Sequence, residues 1–340
     1  RQNTIVNLSR DFLDTNGVKQ HINVVVETPA KETCYLDHIP GKVAALAPDL
    51  EKAWLENLKD LNVCSQKGLA ERFDSSIGGN SVLMPFGGKN QLTPTEGMVA
   101  KLPVIGAETT TATAMTYGYN PYLMEWSPFH GAMYAVIESV AKMVALGGRA
   151  DKIRLTFQEY FESLGTDSRK WGRPFAALLG ALWAQHQLEI PAIGGKDSMS
   201  GTFMDLTVPP TLTSFAVDVM KADNALSPEF KVVGSKVYYV PMPKDKLAMP
   251  DFRKLRDTYE KVSNFIAAKK VFAASSVRMG GTAAAITKMC LGNGIGFRFN
   301  SKPSMEDLFK ADYGALILEV APDSDIKEAL AGTGCYELGT

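Results

Sequence analysis

Residues 127–148, SPFHGAMYAVIESVAKMVALGG, decide how this 340-residue chain folds. The helix after His130 is apolar on nearly every face, and its only charges are Glu138 and Lys142. A helix that is hydrophobic all round belongs in a protein interior. The two charges stand four residues apart with the glutamate toward the N-terminus, an order that favours an ion pair along the helix.

Strand candidates surround this helix at SVLMPF (81–86), KLPVIGA (101–107), KIRLTFQ (152–158), EIPAIGG (189–195) and TLTSFAVDVM (211–220). A second helix is expected around PFAALLGALWAQH (174–186), with Pro174 near its first turn. From about residue 225 strands and helices alternate, with a Gly280–Gly281 turn between VFAASS and TAAAITKMCL. Near the start, the β-branched run at 22–26 predicts a strand, followed by a polar, proline-containing linker to about Pro48. The chain begins with Arg1 and stops at CYELGT where another strand is due, so it reads as an excised piece of a longer protein. The expected division is residues 1–49 as a join from a preceding half, 50–224 as a mainly β-sheet domain with buried helices, and 225–340 as an α/β sandwich.

A chain with 45% apolar and 21% charged residues and a net charge of −1 carries no one-sided basic surface for nucleic acid. No run approaches the roughly 18 apolar residues of a membrane span, and the N-terminus is not a signal peptide, so a cytoplasmic protein is expected. Cys34, Cys64, Cys290 and Cys335 lie far apart without a C-x-x-C pair, which suggests neither a zinc site nor a disulfide framework.

The stretch IGGKDSMSGTF (193–203) imitates a phosphate loop and fails as one. Lys196 is followed by Asp197 where a Walker loop needs Ser or Thr, and Ile190 stands where its first glycine belongs. What remains is a Gly194–Gly195 turn carrying Lys196, Asp197 and Ser198 at the end of a buried strand. That is a place for a polar ligand or an ordinary surface turn.

Four segments together carry a family resemblance: SSIGGNSVLMPFGG (75–88), SPFHGAMYAVIESVAKMVALGG (127–148), IPAIGGKDSM (190–199) and SSVRMGGTAAAI (275–286). Their order and spacing resemble the second synthetase-like half of the large phosphoribosylformylglycinamidine synthases, from about residue 55 to the end. The resemblance implies the aminoimidazole ribonucleotide synthetase-like fold, in which the sheets of two such faces join into a barrel at a dimer interface. It further implies a ligase of purine biosynthesis that uses ATP and Mg²⁺ to phosphorylate the amide oxygen of formylglycinamide ribonucleotide, with ammonia from glutamine then displacing phosphate. The implied partners are the other synthetase-like half and a glutaminase domain, and a homodimer is expected for this chain alone.

On the same resemblance, nucleotide contacts fall at Gly78, Gly79, Asn80 and Ser81 and at Gly194, Gly195 and Ser198, and catalytic roles at Lys196, Asp197 and His130. For His130 a substrate contact and a helix-entry or core contact are both open. The family's Mg²⁺ ligands map onto Gly106, Glu138, Lys142 and Ser276, and only the glutamate keeps a ligating side chain. An ammonium repels Mg²⁺ at close range, so no metal is expected at this degenerate constellation. Two functions follow: an enzyme fragment lending its loops to a site completed by the other half, or a noncatalytic scaffold half.

Overall fold

The structure, a computed structural model, describes residues 3–15, 21–73, 79–322 and 324–340. Its first sheet is built from β1 (Met98–Lys101), β2 (Thr111–Gly118), β3 (Arg154–Tyr160), β4 (Ala192–Lys196) and β5 (Thr211–Lys221) in the order β1-β2-β5-β3-β4. Its neighbours run antiparallel except β3 and β4, which are parallel. The second sheet has β6 (Lys236–Val240), β7 (Val271–Ser276), β8 (Leu316–Val320) and β9 (Tyr336–Gly339) in the order β7-β8-β6-β9, all antiparallel. The main helices are α1 (Leu50–Lys59), α2 (Pro128–Ala145), α3 (Ser168–Leu188), α4 (Phe252–Ala267) and α5 (Gly281–Leu291). This is a mixed α/β fold.

The helix α2 lies at its centre, buried from Gly131 to Ala145 and packed on α3, β2, β5, β7 and α4. Its start is fixed as its sequence requires: Ser127 Oγ accepts from the His130 amide and Pro128 occupies the first turn. Strand β2 alternates Ala112, Ala114, Thr116 and Gly118 toward α2 with Met115 and Tyr117 toward the outside. The opposite face of the first sheet is open, with Met98, Met115, Tyr117 and Val219 all exposed on it.

Several expected elements are placed differently. Residues 22–26 form no strand; the segment runs extended over the start of α3, where Val25 N donates to Ser168 O at 3.0 Å. The apolar run 101–107 is an exposed loop beyond Lys101, broken by Pro103, while the edge strand lies just before it. Helix α3 begins at Ser168 under an Asp167 cap, so Pro174 sits inside the helix instead of in its first turn. Gly194 and Gly195 belong to the edge strand β4, paired with Thr156 and Phe157, and the chain turns only after Lys196. In the stretch before α1, Cys34, Leu36 and Val43 are buried.

Candidate functional site

The two loops singled out by sequence sit at opposite edges of one sheet. Gly78 lies outside the described residues. Gly79 follows with φ +67° and open space where a side chain would stand, a conformation glycine adopts without strain. Next, Asn80 O accepts from Lys101 N at 2.8 Å and Ser81 bridges to Ala100, which ties this loop to β1. The other loop extends β4, at the far edge of the sheet: Ser198 N donates to Glu159 O and Phe161 N donates to Ser198 O. Four strand-to-strand steps separate these edges, roughly 19 Å. Within one chain they therefore make no common site.

At the β4 edge Lys196 Nζ lies 2.5 Å from Ser198 Oγ and 5.9 Å from the centre of the Tyr160 ring, with Asp197 exposed beside it. Beneath them is a residue the sequence reading missed. Glu159 is buried on β3, and burial, with Asp197 adding to it, pushes its carboxyl up to about 7. A carboxyl raised in the folded state holds its proton there more tightly, so its contribution to stability is intact below about 4.5 and lost as pH climbs toward 7. Glu159→Gln should therefore change stability little at pH 5 and raise it by about 2–3 kcal/mol at pH 8, read as urea midpoints at the two pH values. Equal midpoint shifts at both would refute it.

His130 has both ring nitrogens engaged. Nδ1 lies 2.8 Å from Ser127 Oγ and Nε2 3.3 Å from the Leu247 carbonyl, which can only accept. The Nε2–H tautomer of a neutral ring satisfies both, and burial pushes the ring below its ordinary value, in keeping with that form. With Tyr134 Oη donating to Ala248 O, the start of α2 is fastened to the loop around residue 248.

The degenerate constellation is closed from within. Lys142 Nζ lies 2.7 Å from Glu138 Oε1 and 2.7 Å from Tyr117 O, and it stands over the Tyr117 ring. The side chains of Lys142 and Glu138 are 1% and 5% exposed. The other carboxylate oxygen of Glu138 accepts from Tyr119 N at 2.9 Å. Ser276 is occupied as well: with Ser275 it donates to Glu96, through the Ser276 amide (3.1 Å) and both hydroxyls (2.6 and 2.9 Å). Gly106 lies apart in an exposed turn with φ +70°, not on a strand. A metal needs several oxygen ligands, and this donor set brings an ammonium into van der Waals reach of its one ligating carboxylate, so it does not fit Mg²⁺. Among the described residues no three His, Cys, Asp or Glu side chains gather as metal ligands.

Glu96 and its neighbour Arg278 went unnoticed in the sequence because Glu96 meets Ser276 across 180 positions. Burial works to lower the Arg278 value, and the carboxylates of Glu96 and Glu138 outweigh it. A groove of about 670 Å³ opens beside the same turn, lined by Tyr35, Lys42, Lys59, Tyr122, Trp126 and Met279 among others.

No family model matches the chain. It is 26% identical over 310 residues to phosphoribosylformylglycinamidine synthase subunit PurL of Picrophilus torridus, covering 82% of this chain and 39% of that protein. It is 21% identical over 361 residues to the PurL subunit of Thermoplasma acidophilum, covering 96% of this chain and 44% of that protein. Among solved structures it matches the PurLQS structure from Thermotoga maritima, with a TM-score of 0.59 at 18% identity over 94% of this chain and 44% of that one. It matches T. maritima PurL complexed with ATP with a TM-score of 0.57 at 16% identity over 94% and 44%. The chain therefore shares the PurL fold, the aminoimidazole ribonucleotide synthetase-like fold expected from its motifs, and spans about two fifths of the length of the relatives it matches. No helix among the described residues is long and apolar enough to cross a membrane.

Proposed function

We propose that this relative of PurL is one synthetase-like half of a phosphoribosylformylglycinamidine synthase, and that it serves a catalytic site completed by a second half. The observation that carries this reading is the similarity to PurL subunits over 82–96% of the chain. In the reaction, the amide oxygen of formylglycinamide ribonucleotide takes the terminal phosphoryl group of ATP, and ammonia attacks the activated carbon and expels phosphate. Solved PurL structures with ATP and with FGAR support both substrates, and the PurLQS structure supports further subunits as partners.

Closing two five-stranded sheets edge to edge would bring the Gly79–Ser81 loop at the β1 edge of one against the β4 edge of the other. That arrangement covers the open face bearing Met115, Tyr117 and Val219, and it drives the isolated chain to pair with itself, a state sedimentation reads directly. In it, Gly79 and the amides around it face phosphate oxygens, and Lys196, held by Ser198 Oγ with Asp197 exposed beside it, supplies positive charge where the transferred phosphoryl group gains negative charge. The nucleotide and Mg²⁺ of this site are held by acidic ligands of the other half, since those of this half are closed by Lys142.

The experiment is reconstitution. This chain alone should make no amidine from ATP and either glutamine or ammonia; with the complementary half and a glutaminase subunit added in trans, product should form. Lys196→Ala should then lower kcat by about 100-fold, the size of losing one charge-stabilising donor. Product from the chain alone would overturn the composite site. A reconstituted Lys196→Ala enzyme at full rate would favour the second reading, a noncatalytic scaffold half, for which the sealed Glu138–Lys142 pair and the exposed apolar stripe Phe175, Leu178, Leu179, Leu182 and Trp183 on α3 speak.

A further inference from the structure

Two apolar surfaces of this chain face solvent, and one fastening joins them. The outer side of α3 carries Phe175, Leu178, Leu179, Leu182 and Trp183, each 39–49% exposed. Near the start of the chain Ile5, Val6, Leu8, Phe12 and Leu13 are 48–94% exposed, the last two on the short helix Arg10–Thr15. Between the two surfaces the chain is pinned to the first turns of α3. Val25 N donates to Ser168 O at 3.0 Å, and Glu27 Oε1 lies 3.6 Å from Arg169 Nη1. The Val25 carbonyl oxygen lies 1.9 Å from where a Cβ on Gly172 would stand, so only glycine at 172 admits so close an approach.

The fastening sets a direction. With Glu27 at Arg169 and Val25 at Gly172, the segment runs antiparallel to α3, and its continuation toward the N-terminus heads along the helix toward Trp183. At about 100° per residue, Leu179 and Trp183 lie within about 20° of the side on which Gly172 meets Val25, with Phe175, Leu178 and Leu182 next to them. From Gly172 to Trp183 is about 17 Å along the axis, the span of about five extended residues. The links from Thr15 to His21 reach up to about 20 Å, enough to turn Phe12 and Leu13 back onto the stripe.

We propose that the segment Ile5–Leu13 is a strap that closes over α3, laying Phe12 and Leu13 on Leu179, Leu182 and Trp183. The tether selects this occupant over a second copy of the chain: a short flexible link holds the strap at an effective concentration in the millimolar range, far above a micromolar solution of the protein. Closure removes two apolar patches from water at once, on a molecule where each is large enough to seek a contact. Any partner that docks on α3 must first displace the strap, which makes this helix a guarded surface. The inference stands independently of any catalytic role for the chain.

The test uses the full chain at micromolar concentration with Phe12→Cys and Leu179→Cys, both at exposed positions, under mild oxidation. The cross-link is read by mass spectrometry of the digested protein. The comparison is Asp14→Cys with Leu179→Cys, which keeps the same tether but places its thiol on the other side of the short helix. The Phe12 pair should close within one chain about tenfold faster, the bias from burying roughly 60 Å² of apolar surface, and its rate should not change on dilution. Equal rates for the two pairs would show a segment that wanders without docking. Cross-linked dimers through Leu179→Cys whose yield falls on dilution would show that a second copy covers the stripe. Either result overturns the strap.

Discussion

Replacing Lys142 by methionine should cost the fold roughly 3–5 kcal/mol, because it strands the Glu138 carboxylate in a site where the pair is almost wholly buried. Methionine fills nearly the same volume, so lost packing contributes little. The stranded charge keeps one hydrogen-bond donor, the Tyr119 amide, and loses the ammonium, while the Tyr117 carbonyl and ring lose the cation they faced. Removing the charge as well should recover much of the loss, so Lys142→Met with Glu138→Gln should unfold at higher urea than Lys142→Met alone. A single variant that unfolds like the parent, or a double variant no more stable than the single, would show that the pair does not hold this region together.

A second large effect is expected at Gly118, the last residue of β2. A Cβ there would sit 2.0 Å from the Ala135 carbonyl oxygen, 2.8 Å from the Ser139 amide and 2.9 Å from Glu138 Cβ. Two of these are backbone atoms of α2, which cannot swing aside; the helix itself must retreat from the sheet. Gly118→Ala should therefore cost about 3 kcal/mol, the upper part of the range for overfilling a packed core. It should also loosen the Glu138–Lys142 pair, whose partners Tyr117 O and Tyr119 N flank the glycine. Gly68→Ala, on a short helix with nothing within 4 Å, is the control and should lie within about 0.5 kcal/mol of the parent. Comparable urea midpoints for the two variants would mean that helix and strand are not locked in contact.

Gly118 also explains what could and could not be read from the amino acids. The helix α2 was legible because its pattern, apolar on every side, admits only one environment, and the Glu138–Lys142 contact followed from spacing alone. Strands β3 and β5 announced themselves through bulky β-branched and aromatic runs. Strand β2, TATAMTYG, did not, although it is an interior strand of the first sheet, paired on both sides. Its inward residues are Ala112, Ala114, Thr116 and Gly118, small because α2 presses close, and small residues erase the alternation by which a strand is recognised. The runs at 22–26 and 101–107 have the right residues for strands and no neighbouring edge that takes them. Glu96, Glu159 and Arg278 have no local signature at all: each matters through a residue brought near by the fold.

The ion pair on α2 has a thermodynamic consequence beyond its strength. A site whose acidic groups are neutralised by a dissolved cation is stable only while that cation is supplied, and its folding free energy varies with the logarithm of the cation's concentration. Here the neutralising charge is Lys142, four residues along the same helix, present at fixed stoichiometry from the moment the helix forms. Chelators and swings in divalent-ion concentration therefore have nothing to remove from this constellation, and its stability is a property of the polypeptide rather than of the solution around it.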